Sequence, residues 1–347
     1  MKFIDLMWFV PKPSFFESIR FDLKRKYILI LYGFIGISGF SQSVENKSVS
    51  PAHAGNKNNI KSESVACANK HRKPQLIAKL PSTLNETSGL VMFDGLLWTI
   101  NDSGNPAEIY QIDTADGQVL KVVKITNAQN HDWESLAQDD SSVYIGDFGN
   151  NAGNRTNLQI LIISKSDLLQ NANNSAEAQF IRFTYPDQTD FSSKFNSNNF
   201  DCEAFVYFND SFHLFTKNWG DKQCKHYTLV SDTGTYVANF IGQFNADGLI
   251  TDASINEMGN IVLLGYKNTR GKFYTSFAWL FSANNGIISF TENKRRIEFG
   301  SVLHVGQSEG IFLKNDNSAF ISSESILNGW LLRPAKLLKI DLDAYFE

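Results

Sequence analysis

Three glutamates recur in matching surroundings along this chain of 347 residues. Glu134 stands in Asp132-Trp-Glu-Ser-Leu, Glu203 in Asp201-Cys-Glu-Ala-Phe and Glu309 in Ser308-Glu-Gly-Ile, each followed by a small residue and then an apolar one. Ser88 takes the equivalent place in Glu86-Thr-Ser-Gly-Leu, and Asp252 stands one residue off register in Thr251-Asp-Ala-Ser-Ile. After each of these words a second apolar run ends on a polar residue: Asp102, Asp147, Asn218 and Glu324, with Tyr266 and Asn268 in the fourth copy. Carboxylates crowded around one axis repel, so they either hold protons or recruit a cation. Oxygen donors without thiolates or a histidine cluster favour Ca²⁺ over zinc. The expected metal ligands are therefore Glu134, Glu203, Asp252 and Glu309, with Ca²⁺ as the cofactor.

His131 precedes Asp132 and is the one histidine beside the acidic ring, so these two residues are the expected acid–base pair if the protein is an enzyme. A surface histidine in a connection is the alternative. Asp102, Asp147, Asn218 and Glu324 are the expected ligand-binding residues, joined by Trp133 and Arg155. Trp133, Phe148 and Trp219 have the type for an aromatic wall. Arg155, Lys217, Lys222 and Arg270 could hold an anionic group opposite a bound metal. The competing reading is that polar residues at such repeated positions bond to neighbouring backbone and only fix geometry. No Gly-x-Ser-x-Gly elbow, phosphate-binding glycine loop or His-Glu-x-x-His motif is present.

These side chains must be held by repeating elements. Self-similarity at a near-constant period signals a repeat architecture. Within each copy, four runs of alternating apolar and polar residues are bounded by Gly, Asn, Asp and Ser, which is a strand pattern. In the first copy they cover 89–93, 96–100, 109–112 and 119–125. Turns such as Asp113-Thr-Ala-Asp-Gly117, Ser231-Asp-Thr-Gly234 and Ser282-Ala-Asn-Asn-Gly286 are expected to join the third and fourth runs. Four antiparallel strands per unit make a propeller blade. The last copy has only three runs, and the fourth is available in residues 75–80, so the N-terminal strand is expected to close the last blade. The fold class is all-β: a β-propeller of five four-stranded blades, with six as the alternative count. A two-sheet sandwich competes, but gives no reason for equal repeats. The polar stretch 186–199 reads as a face loop, and 164–170 as the nearest candidate helix.

The domain over 74–347 is preceded by two segments. Residues 24–26 are Lys-Arg-Lys, followed by an uncharged apolar run over 27–40, too short for a membrane span but suited to a secretory signal. Gly39 and Ser41 fit cleavage before Gln42, which makes 1–41 a signal peptide; a retained short anchor is the alternative. Residues 42–73, rich in Asn, Ser, Lys and Ala, read as a flexible linker. Localisation is then secreted, periplasmic or cell-surface, with no stable membrane span once the signal is cleaved. The whole chain has a net charge of −4, which export would make about −7. An acidic protein repels phosphate backbones, so nucleic acid is excluded as a partner, leaving a small molecule or a cell-surface partner for a monomer. Of three cysteines, Cys202 and Cys224 either bridge in an oxidising compartment or stand as two buried thiols. Cys67 lacks the apolar run that lipidation needs.

The blade words Glu86-Thr-Ser-Gly-Leu with 97–102, Asp132-Trp-Glu-Ser-Leu, Ile250-Thr-Asp-Ala-Ser and Ser308-Glu-Gly-Ile together resemble the blade starts of exported bacterial propellers of the SdiA-regulated and phytase-like groups, over most of 80–325. The Glu-Gly-apolar start also resembles the metal-bearing glutamate of lactonase-type propellers, a role that Glu309 would carry. The chain departs from the lactonase pattern in having no proline after that glycine, and from phytases in its thin supply of Lys and Arg at the mouth. The function expected is that of a ligand- or partner-binding propeller with a Ca²⁺ site. The alternative is a metal-dependent hydrolase of a phosphoester or lactone using the carboxylate ring.

Overall fold

The computed structural model describes residues 70–347, except 270–271, 284–285, 291–293, 316–317, 329–330 and 343–347. The expected signal peptide, the expected linker up to residue 69, Cys67 and Arg270 lie outside the described residues.

Five separate antiparallel sheets follow one another along the chain, which settles the blade count at five. Blade 1 comprises Thr87–Phe93, Leu96–Asn101, Glu108–Ile112 and Val119–Ile125 from the axis outward. Blade 2 is built of Trp133–Gln138, Ser142–Asp147, Leu158–Ser164 and Gln179–Thr184, with a single short helix, Lys165–Gln170, before its outer strand. Blade 3 uses Cys202–Phe208, Ser211–Thr216, Gln223–Val230 and Asn239–Asn245. Blade 4 uses Leu249–Ile255, Asn260–Thr269, Lys272–Ser282 and Arg295–Ser301. Blade 5 takes Gln307–Asn315, Ser318–Glu324 and Lys336–Asp341 from the C-terminal end, and Gln75–Lys79 as its outer strand, Gln75 opposite Lys339. A two-stranded hairpin, Ile326–Asn328 with Leu331–Arg333, is an excursion within blade 5. The inner strands of successive blades touch in order and the fifth touches the first, so the ring is closed. Among the described residues, no helix is long and apolar enough to cross a membrane.

Burial follows position in the blade. Inner strands such as Thr87–Phe93 are covered on both faces and read as almost unbroken apolar or small runs. Outer strands such as Gln179–Thr184 keep one face in water and alternate. The core is correspondingly five wedges, one per blade interface, including Trp98 with Trp133 between blades 1 and 2, and Phe205 with Tyr144 between blades 2 and 3.

The outer edges depart from the sequence reading. Gly234–Val237 does not complete a hairpin; it crosses to blade 2 and pairs in parallel with Gln179–Thr184. Ser175–Ala176 likewise leaves blade 2 to pair with the outer strand of blade 1. Lys70–His71, expected in the linker, pairs with the outer strand of blade 4, so the folded part begins before residue 74. In each case a segment just before one blade's outer strand latches the preceding blade. Runs of two to four residues carry too little alternation to be seen in sequence.

Each inner strand carries a β-bulge at the same level, skipping Gly89, Glu134, Glu203, Thr251 and Glu309 in turn. Gly89, and not Ser88, is therefore the true equivalent of the three glutamates in blade 1, and in blade 4 Thr251 is, with Asp252 one residue off that level. Ser88 donates to the carbonyls of Glu134 and Glu309, tying blade 1 to both neighbours. Asp252 accepts from Ile311 N at 2.6 Å and from Ser135 Oγ of blade 2. Blades 2 and 4 are not adjacent, so the Ser135–Asp252 bond spans the axis. At Gly89 the backbone is left-handed (φ +62°) and a Cβ would lie 2.6 Å from Leu136 N of blade 2. Gly89→Ala should thus cost about 2 kcal/mol in chemical denaturation, combining left-handed strain with a backbone collision that no rotamer relieves. An unchanged denaturation midpoint would show that blades 1 and 2 can separate there freely.

Candidate functional site: the acidic mouth

The bulges, together with the ends of the second strands, gather carboxylates at one mouth of the ring. Glu134 is 5 % exposed. One oxygen each of Asp102, Asp132 and Glu134 lie within 4.8 Å of one another. Gly149 keeps this space open: a Cβ there would collide with Glu134 Oε1 and come within 2.6 Å of the Asp132 carboxylate. Burial, then Glu203, Asp102 and Asp132, hold the Glu134 carboxyl well above its ordinary range. Burial and the neighbouring Asp201 push Asp132 up to about 6, against the pull of Arg155.

On the blade 3 side, Asp201 is fully buried and accepts from Asn150 N at 2.6 Å and Trp219 Nε1 at 2.7 Å. Lys217, 5 % exposed, forms an ion pair with Glu203, and its ammonium lies 5.2 Å from the ring centres of both Trp219 and Tyr266. Burial alone would lower the Lys217 pKa, but Glu203, Glu309 and Asp201 outweigh it and keep the ammonium charged. On the blade 5 side, Gln307 Nε2 donates to Glu309 Oε1 at 2.7 Å and to Glu324 Oε2 at 3.0 Å. Burial pushes Glu309 up to about 7, although Lys217 and Gln307 pull it down. Burial and the adjacent Glu309 hold Glu324 well above the carboxylate range.

The structure thus brings Glu134, Glu203, Glu309, Asp102, Asp132 and Glu324 to one mouth. Asp252 is not among them, because the bulge turns its carboxylate inward to Ser135 and Ile311. Trp133 is 0 % exposed and fills the wedge between blades 1 and 2, and Phe148 is buried between blades 2 and 3. Trp219 is the expected wall residue that does lie at the mouth. Asp147 is buried and already accepts from Arg155 Nη2 and Gln159 Nε2, both at 2.9 Å. Arg155 also donates to Gly149 O at 2.7 Å, so these two fasten the mouth loop of blade 2. Asn218 is buried between Thr216 and Asp221. His131 is exposed, and the Asp102–Asp132–Glu134 cluster forms without it. Lys217 and Lys222 bond within blade 3, the latter to Trp219 O.

Gly149 and Gln307 were missed by sequence reasoning. A glycine two residues past a strand reads as turn chemistry, and its second use, as room for carboxylates, has no one-dimensional signal. Gln307 lies two residues before Glu309, a spacing that could have flagged it. Cys202 and Cys224 are free and buried. They lie on the first and third strands of blade 3 with Ser211–Thr216 between them, so their backbones are about 10 Å apart, beyond disulfide reach.

No protein family and no curated protein matches the chain. Among solved structures it is similar to a hypothetical protein from Leishmania major, at 8 % identity and TM-score 0.45, covering 79 % of this chain and 93 % of that one. An α-L-arabinofuranosidase from Podospora anserina, solved with cellotriose, gives 10 % identity and TM-score 0.44, covering 78 % and 95 %. The catalytic domain of a GH62 α-L-arabinofuranosidase from Coprinopsis cinerea gives 9 % and 0.42, covering 78 % and 96 %. Such scores bear on neither ligand nor reaction; strand order and pairing alone make this chain a five-bladed β-propeller.

Proposed function

We propose that this is an exported binding protein whose acidic mouth takes a hard divalent cation, Ca²⁺ first, and through it a small molecule or a cell-surface partner. One observation carries the reading: the buried carboxylate of Glu134 faces Asp102 and Asp132 across space kept by Gly149. Three ionised carboxylates so close repel strongly unless protons or a cation neutralise them. All the donors are oxygens, which suits Ca²⁺.

Melting the full chain in about 1 mM Ca²⁺ and in EDTA tests this. Ca²⁺ at about a hundred times its Kd should stabilise by about 2.7 kcal/mol. Glu134→Gln should lose the response and melt above wild type in EDTA, since a neutral amide relieves the repulsion. Identical midpoints with Ca²⁺ and EDTA sink the reading.

A second reading, hydrolysis of a phosphoester or lactone, is favoured by the Glu309–Glu324 pair, because a carboxyl pushed up to about 7 exchanges protons at neutral pH. Turnover of aryl phosphates or lactones that Glu309→Gln abolishes would support it, and no turnover with any divalent ion would remove it.

A further inference from the structure

The insertion 186–199 is not a slack loop. Lys194 N donates to Ala152 O at 2.8 Å, Asn196 N to Asn151 O at 2.9 Å and Gln188 Nε2 to Gly153 O at 2.9 Å. At its far end Trp219 N donates to Asn198 O at 3.0 Å and Gly220 N to Asn199 Oδ1 at 2.9 Å. The fit is close: a Cβ on Gly153 would lie 2.8 Å from Asn198, and one on Gly220 would lie 2.7 Å from Asn199 Oδ1. The insertion therefore bridges the mouth loops of blades 2 and 3, the same loops whose Asn150 N and Trp219 Nε1 hold Asp201. From this anchored platform Phe191 and Phe195 are 40 % and 53 % exposed. Large apolar side chains on a rigid surface beside a site mark an interaction surface.

We propose that the platform and the acidic mouth together dock a polypeptide segment in which a Lys or Arg adjoins apolar residues. The basic side chain enters beside Glu309 and Glu324, apart from the Asp102–Asp132–Glu134 cluster, and the apolar neighbours cover Phe191 and Phe195. Charge complementarity selects this occupant. Lys217 is paired with Glu203, and the carboxylates gathered at the mouth outnumber its ammonium, so the mouth attracts a cationic guest. An anionic lipid surface would be repelled by the same carboxylates, and a second copy would set one acidic mouth against another acidic surface. The inference rests on the reading of the mouth as a binding surface, but not on Ca²⁺.

The test pans the immobilised full chain against a phage-displayed random dodecapeptide library and measures the enriched peptides, as fluorescein conjugates, by anisotropy. The expected result is a consensus pairing Lys or Arg with apolar residues. Affinity should fall about tenfold in the Phe191→Ser/Phe195→Ser double variant and fall again in about 0.5 M NaCl. Both sites are exposed, and an unchanged Ca²⁺ response in the double variant certifies its fold. If Ca²⁺ has no effect on wild type while the double variant melts like wild type and loses the peptide, the platform stands and the cation reading falls. The proposal is overturned by the absence of a consensus or by equal binding to the double variant. Sedimentation with phosphatidylglycerol vesicles, or self-association, that depends on the two phenylalanines in place of peptide binding also overturns it.

Discussion

Lys217→Met will lower the melting midpoint by about 10 °C at neutral pH, at an expected cost of about 3–5 kcal/mol. Removing one member of a buried ion pair leaves the other charge without compensation in a poorly solvated site. Here the loss is compounded. The ammonium serves Glu203 directly, stabilises Asp201 and Glu309 through space, and sits against the rings of Trp219 and Tyr266. Methionine keeps most of the stem's packing, so the measured loss is electrostatic. The deficit should shrink as pH falls toward about 5, where the orphaned carboxyls take up protons. A variant melting within a degree or two of wild type at both pH values would mean that the carboxylates are neutralised by something other than Lys217.

Glu309→Gln is expected to act in the opposite direction. Burial raises the Glu309 carboxyl to about 7 in the folded chain, against about 4.3 when unfolded. The folded state therefore binds this proton more tightly. Its stabilising contribution is complete below the unfolded pKa and is lost as pH rises through about 7. The amide keeps an oxygen for Gln307 and never ionises. The variant should be more stable than wild type by about 3 kcal/mol near pH 8, with the gap closing to about 1 kcal/mol near pH 5. Denaturation midpoints across that range check the sign. A gap that widens toward acid would show that Glu309 is held ionised in the fold.

The fold was more legible than the site. Alternation and turn residues located the strands of blade 1 within about two residues, as in Val119–Ile125, because a strand with one covered face writes its period into the chain. The level of the ring was misread by one residue in blade 1, where Ser88 stood for Gly89. A bulge skips a position without changing composition, so Gly89 could not be recognised as the partner of Glu134. Aromatic type alone did not separate Trp133, which fills a wedge, from Trp219, which bonds Asp201. That distinction depends on which face of a strand end meets the next blade. Asp147 and Asn218 have the right chemistry for ligands, yet are consumed by Arg155, Gln159, Thr216 and Asp221, a matter of partners brought together only by folding.

The short parallel segments at the rim bear on how the ring comes apart. Blades 1, 2 and 4 each have their outer edge held by chain belonging to the next blade, and blade 5 joins the two ends of the domain. None of these four can peel away without disturbing a neighbour. On blade 3, no strand among the described residues covers Asn239–Asn245, and Phe240 and Ile241 are about half exposed there. There the tie to the next blade is made by side chains: Phe290, just ahead of the outer strand of blade 4, stacks on Phe244 with ring centres 4.7 Å apart.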